Sequence, residues 1–273
     1  MGELLGVEVV GVHAIKESVF EVDLADGDLV VAKFHAEVGK AGVEAWGLGW
    51  LAEPGVVAVT QVRAVDEHWL VVEQVEPGQA SVAAAEGLGR GLARLHAAGA
   101  SAFGEGPGES WIGELPMACV RGAAWPEWFA EHRIEPYLRQ AVDRELLDPA
   151  AARLVSAVCA RVGELAGPAE PPARLHGDLW NGNVLWDRAG LAWLIDPAAH
   201  GGHRESDLAM LALFGCPHLD RVLAAYDETS PLAPGWQART PLHQLFPLLV
   251  HVVLFGSGYA AQTATAARRA LSA

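Results

Sequence analysis

The segment that most constrains this chain runs from His176 to Asp196. It reads His176-Gly177-Asp178-Leu179-Trp180-Asn181-Gly182-Asn183, followed by two short apolar stretches, Val184–Trp186 and Ala192–Ile195, and then Asp196. Two short apolar runs so close together predict a small hairpin. Asp196 follows Asn183 by thirteen positions, which leaves room for that hairpin between them. Three polar groups are thereby spaced around one turn of chain. Asp178 offers a carboxylate that can accept or orient a hydroxyl proton. Asn183 and Asp196 offer an amide oxygen and a carboxylate, the hard oxygen donors that magnesium prefers over sulfur or imidazole.

The spacing matches the protein-kinase catalytic loop H-x-D-L-x-x-x-N at His176, Asp178, Leu179 and Asn183, and Asp196 ends an apolar strand where kinases carry the metal-binding Asp of D-F-G. The bland alternative is an ordinary turn with a capping Asp and a strand-ending Asp. The kinase pattern gives the upstream search a target, a Lys on the third strand and a Glu on the next helix. Val30-Val31-Ala32-Lys33 supplies the Lys in a setting like V-A-I-K, and Glu44 supplies the carboxylate. Glu37 is a rival, but it falls in the turn before the helix. The backbone at Glu73 and Val75, in the expected hinge, is placed to hydrogen-bond adenine. ATP and Mg2+ are the implied cofactors.

The first third of the chain reads as strands: Val7–Val10, Val19–Leu24, Leu29–Phe34, Val56–Val65 and Trp69–Val75, with a helix near Val43–Leu51. Ala25-Asp26-Gly27-Asp28 supplies a hairpin turn, and Pro77-Gly78 closes the region. Helical patterns follow at Ala80–Ala97, Trp125–Val142 and Pro149–Leu165 and from Asp207 onward, with Phe103–Gly108 and Trp111–Val120 read as loop. The expected architecture is α+β: a two-lobed protein-kinase-like fold with a five-stranded antiparallel lobe, 1–76, and a larger, mainly helical lobe, 77–273.

With 273 residues the chain has room for two such sub-domains. A net charge of −15 disfavours nucleic acid or an anionic membrane as main partner. Cys119, Cys159 and Cys216 form no C-x-x-C pair, so neither a zinc ribbon nor a disulfide scaffold is supported, and a reducing cytoplasm is the expected setting. No signal peptide is visible. Leu245–Phe255 is too short for a membrane span and reads as a buried helix.

His176–Asn183 as HGDLWNGN, Asp196-Pro197-Ala198, Gly202–Met210 and Phe214-Gly215 resemble the fructosamine-3-kinase (ketosamine-3-kinase) family. Trp111-Ile112-Gly113, Trp128-Phe129, Arg133, Pro234-Gly235-Trp236, Pro241–Leu245 and Leu254-Phe255-Gly256 extend the likeness over nearly the whole chain. The resemblance implies a fold related to aminoglycoside phosphotransferases. It also implies phosphorylation of the 3-hydroxyl of a ketosamine, small or protein-linked, a deglycation reaction. By the same match Asp178 is the base, Asn183 and Asp196 hold magnesium, and Lys33 with Glu44 handles phosphate. A monomer or weak dimer is expected. The alternatives are a kinase of the same fold acting on an aminoglycoside or choline-like amino-alcohol, or a nucleotide-binding pseudokinase.

The chain departs from the family pattern in four places, one of them the absence of the family's Q-x-N from Leu115–Val120. Gly11–Glu17, the expected phosphate turn, holds one glycine, with Lys16 as a substitute contact; Glu109-Ser110 replaces a D-N pair; and His200-Gly201 replaces an aromatic pair. Asp207 is expected to cap the following helix and to tie down the catalytic loop. Arg204 either contacts acceptor or pairs with Asp207. Gly87-Leu88-Gly89-Arg90-Gly91 is read as helix packing through small residues rather than a nucleotide loop. His96 and His251 are read as core histidines. Trp125 and Trp128 are read as core, with stacking on an acceptor sugar as the other option.

Overall fold

The structure is a computed structural model and describes residues 2–273. A short helix α1 (Gly2–Leu5) precedes the strands β1 (Val9–Lys16), β2 (Val19–Leu24), β3 (Leu29–Phe34), β4 (Ala58–Val59), β5 (Val62–Val65) and β6 (Trp69–Glu73), with helix α2 (Lys40–Ala52) after β3. Five of these strands form one antiparallel sheet in the order β1-β2-β3-β6-β5. Period-two alternation sorts the faces of β3. Val30 and Ala32 are buried in a small cluster with Val22, Leu24 and Val71. Val31 and Lys33 therefore face the other way, toward α2 and the rest of the chain.

Two expectations about the strands need correction. The first strand was expected at Val7–Val10, with a phosphate turn at Gly11–Glu17. Instead β1 runs on to Lys16 and meets β2 across the two-residue turn Glu17-Ser18, with Lys16 paired to Val19. Neither turn residue has positive φ, so the turn needs no glycine. Val56–Val65 was read as one strand and is two. β4 leaves the sheet and pairs in parallel with a strand of the catalytic hairpin, helped by the bond from Thr60 N–H to the Leu194 carbonyl.

The helical part opens with α3 (Val82–Ala97), capped by the Ser81 hydroxyl, which accepts from Ala84 N–H at 3.1 Å. Trp111–Val120 was read as loop but forms a hairpin, β7 (Glu109–Ile112) and β8 (Leu115–Ala118), because Ser110, Ile112 and Met117 alternate inward. The rod expected at Trp125–Val142 is α4 (Trp125–Phe129), a π-helical turn (Ala130–Ile134) and α5 (Glu135–Asp143). Pro136 has no N–H to give the His132 carbonyl, and Arg133 Nη1 bonds that carbonyl instead at 3.1 Å. Next come α6 (Pro149–Ala160), α7 (Val162–Leu165), β9 (Ala173–Leu175), β10 (Val184–Trp186), β11 (Ala192–Leu194) and β12 (His200–Gly202). The chain ends with α8 (Glu205–Phe214), α9 (Leu219–Thr229), α10 (Trp236–His243), α11 (Leu245–Phe255) and α12 (Ala260–Leu271).

The packing reading of the glycine-rich helix holds. A Cβ at Gly89 would run into the Val222 carbonyl, so Gly89 lets α3 and α9 approach closely. One hydrophobic cluster joins Leu48 and Leu51 of α2, Leu70 and Val72 of the sheet, Leu88 and Leu92 of α3, and Leu179, Val184 and Leu194 of the catalytic hairpin. The sheet and the hairpin therefore share one core, which fixes the cleft between them. Among the described residues no helix is long and apolar enough to cross a membrane.

Candidate active site

β9 and β12 pair antiparallel, so the chain leaving Leu175 and the chain arriving at His200 lie side by side. Between them the catalytic loop turns at Gly177, whose φ is +81° and where a Cβ would run into the Ala198 carbonyl. His176 is fully buried and neutral, since burial pushes its imidazole down. Its Nδ1 accepts from Asp178 N–H at 3.2 Å and its Nε2 bonds the Ile195 carbonyl at 2.9 Å. One ring thereby links the chain at Asp178 to the chain at Asp196.

Asp207 holds the loop from below. Its Oδ2 accepts from His176 N–H at 2.8 Å and from His96 Nε2 at 3.2 Å, and its Oδ1 accepts from Gly177 N–H at 3.0 Å. Burial alone would raise the Asp207 carboxyl, but these donors hold it below the usual range. The expected loop tie is present. The expected cap is not, because α8 starts two residues earlier and Asp207 lies inside its first turn. His96 is a core histidine as expected, and its other nitrogen bonds the Tyr226 hydroxyl at 2.8 Å. Arg204 pairs with Glu170 at 2.6 and 2.8 Å rather than with Asp207, and its remaining donors serve Ser230 and Pro231.

Asp178, Asn183, Asp196, Lys33 and Glu44 all line one cleft of about 1020 Å³ between the sheet and the catalytic hairpin. Asn183 Nδ2 donates to the Asp178 carbonyl at 2.8 Å and to Asp178 Oδ2 at 2.9 Å. Burial pushes the Asp178 carboxyl up, to about 7; the Asn183 bond pulls it down, and the charges of Asp196 and Asp207 add to the rise. A carboxyl poised there matches the working pH of a general base. Asp196 sits at φ 52°, a left-handed conformation rare outside glycine, which aims its carboxylate into the cleft beside Lys33.

Lys33 Nζ bonds Glu44 Oε1 at 2.7 Å and also contacts Asp196 Oδ1. Burial would lower the Lys33 ammonium, but the two carboxylates outweigh it and keep it protonated. Burial would likewise raise Glu44, yet Lys33 and His35 hold its carboxyl down at about 2. The rival Glu37 lies at the mouth of the cleft, 3.8 Å from Lys40.

Glu73 and Val75 are not among this group. They border a smaller depression shared with Asp187 and Arg188. Glu73 N–H is spent on the Gln61 carbonyl, and the Glu73 carbonyl accepts from the Thr60 hydroxyl at 2.9 Å. Lys16, Glu17 and Ser18 of the first hairpin form the cleft edge. Trp125 and Trp128, each 4% exposed, belong to the core and not to this cleft. Sequence reasoning singled out neither Lys40 nor Glu114, which meet at 2.8 Å across the cleft, nor Trp180 and Phe255 as exposed aromatics on its wall. Trp180 had a signal, since it sits inside the catalytic motif. Glu114 had none, because its hairpin was read as loop.

This fold and this constellation define an ATP-dependent kinase. The family model for fructosamine kinase matches residues 28–273. A Thermus thermophilus protein named a probable ketoamine kinase is 39% identical over 218 residues, covering 79% of this chain and 77% of that one. A chloroplastic protein-ribulosamine 3-kinase of Arabidopsis thaliana is 31% identical over 225 residues, covering 79% of this chain and 67% of its own. A Thermobifida fusca crystal structure provisionally named fructosamine-3-kinase superposes with a TM-score of 0.96 at 49% identity, covering 100% of this chain and 97% of that one. The chain belongs to the fructosamine kinase family.

Proposed function

We propose that this enzyme transfers the γ-phosphoryl group of ATP to the 3-hydroxyl of a ketosamine, with residues 1–76 and 77–273 as the lobes that bracket the reaction. The observation that carries the reading is the convergence of Asp178, Asn183, Asp196, Lys33 and Glu44 on one cleft. Asp178 takes or orients the proton of the attacking hydroxyl, and its raised carboxyl suits that exchange near neutral pH. Lys33, fixed by Glu44, holds phosphate oxygens. The backbone of Val75, with the Glu73 carbonyl, receives adenine, and the Glu17-Ser18 turn covers the phosphates.

The residues fit magnesium. Asn183 spends its amide nitrogen on Asp178 and on the Asp196 carbonyl, so its oxygen is free of intramolecular donors among the described residues and pairs with the Asp196 carboxylate as a hard donor set. When bound, magnesium would neutralise charge on the phosphate oxygens.

The names of the relatives support a ketosamine acceptor, either small or attached to protein, over an aminoglycoside or a choline-like alcohol. A cytoplasmic monomer or weak dimer completes the reading. The test is ATP consumption by the purified chain with magnesium, offered ribulosamine, fructosamine and an aminoglycoside. Turnover on a ketosamine alone is expected. Turnover on the aminoglycoside alone, or none on any acceptor while ATP still binds, would overturn the assignment.

A further inference from the structure

Against Gly177 of the catalytic loop and Asp207 lies a small cavity of about 20 Å³. Trp125, Arg133, His200, His203, Asp207 and His243 border it. A space of that size holds one or two atoms of water or chloride dimensions.

Seven buried side-chain nitrogen or oxygen atoms among the described residues have no hydrogen-bond partner. Four of them belong to residues bordering this cavity: Trp125 Nε1, Arg133 Nε, Arg133 Nη2 and His243 Nε2. The first three can only donate. The fourth lies 3.3 Å from Glu205 Oε2, so its demand falls on that carboxylate and the cavity is left with the other three. Unpaired buried donors are costly, and so many around one cavity call for an acceptor inside it.

Charge narrows the choice. Arg133 is 1% exposed, and among the described residues it has no carboxylate partner. Its Nη1 bonds the carbonyls of Ala118 and His132, and its guanidinium lies 4.4 Å from the Trp128 ring centre. The two neighbouring buried arginines are paired: Arg204 with Glu170 at 2.6 and 2.8 Å, and Arg239 with Glu205 at 3.0 and 2.5 Å. Arg133 is thus a buried cation without a counterion, in a core where charges otherwise pair.

A metal fits less well. His203, Glu205 and His243 offer ligand atoms within 4.8 Å of one another. Both oxygens of Glu205 are already taken by Arg239, and His203 Nδ1 accepts from Glu205 N–H at 3.3 Å. A divalent cation there would also face Arg133 and Arg239. Asp207 borders the cavity too, but its oxygens are engaged by His96 and the catalytic loop. His200 and His203 are both pushed down to about 3 by burial, so they bring no charge of their own.

We propose that this cavity binds one small monovalent anion of chloride size, with Arg133 as its charged partner and the Trp125 indole N–H as a second donor. The anion neutralises Arg133 and stabilises the helical core under the catalytic loop. Its occupancy adds to the stability of the folded chain by mass action.

The test uses the full chain in sodium chloride, sodium bromide or sodium gluconate at equal ionic strength. Chloride or bromide at about ten times its Kd should raise Tm by roughly 3–5 °C over gluconate. Crystals grown in bromide should show an anomalous peak beside Arg133. Arg133→Met should abolish the halide response, and Trp125→Phe, a milder change, should weaken it if Arg133→Met does not fold. Equal Tm in all three salts with only water density in the cavity would overturn the proposal. So would stabilisation by zinc with an anomalous zinc peak at His203 and His243.

Discussion

Asn183 holds Asp178 twice, at the carbonyl and at the carboxylate, with 2.8 and 2.9 Å bonds from one amide nitrogen. The two contacts fix the direction of the Asp178 side chain and lower its carboxyl against burial. Asn183→Ala removes that pull, so the Asp178 carboxyl moves above about 7. The acid limb of kcat/KM should shift to higher pH, and turnover at pH 7 should fall by roughly 10- to 100-fold, the worth of a hydrogen bond to a charged group. A pH–rate profile whose acid limb does not move would separate Asn183 from the tuning of the base.

Replacing the base itself should trade activity for stability. Asp178→Asn should cut turnover by about 10²–10⁴. The Asp178 carboxyl is raised to about 7 in the folded chain, well above its unfolded value. Between those values the folded state binds more protons, so this group's contribution to stability falls as pH rises and the full cost is present above about 7. Asp178→Asn escapes that cost. Its unfolding free energy should exceed that of the parent by ~1–3 kcal/mol at pH 8, and the gap should close below pH ~4. Denaturant melts at the two pH values measure this; a variant no more stable at pH 8 would show that burial is not straining Asp178.

The catalytic elements were legible because their chemistry is local. His176, Asp178, Asn183 and Asp196 lie within twenty-one residues, and a hairpin of predictable length joins them. Lys33 and Glu44 were found only because that loop gave the search a target, and the period-two alternation of β3 then explains why Lys33 faces the cleft. What escaped depends on contacts distant in sequence. β4 pairs with β11 through a parallel contact that no pattern near Val56–Val65 announces. The hairpin at Glu109–Ala118 was hidden by Gly113 and by Pro116. Lys40 and Glu114, 74 positions apart, meet only after the cleft forms.

Glu44 gives a second pH prediction, of opposite sign to that of Asp178. Its carboxyl is held at about 2 against the usual Glu range, so it adds stability above pH ~4.3 that is lost as pH falls toward about 2. Glu44→Gln keeps an acceptor near Lys33 but removes the charge. The variant should be less stable than the parent by ~1–3 kcal/mol at pH 7 and equal to it near pH 2. Its kcat/KM for ATP should fall by about 10-fold, consistent with one lost charge-assisted bond. An unchanged kcat/KM would show that Lys33 does not depend on Glu44 for its position.

Asp207 separates two roles that one helix position can play. A capping residue is worth ~1 kcal/mol, and serine serves as well as aspartate. A buried carboxylate joining three donors is worth more, because removing it strands His96 and the amides of His176 and Gly177; breaking such a network costs ~3–5 kcal/mol. Asp207→Ser and Asp207→Ala should therefore be about equally damaging in a denaturant melt, since the serine hydroxyl is too short to reach the loop. Both should also lower kcat more than they raise KM for ATP, because the loop that carries Asp178 loses its anchor while Lys33 and Glu44 keep theirs. Recovery of parental stability by Asp207→Ser would return Asp207 to a capping role and leave the catalytic loop to be held by His176 alone.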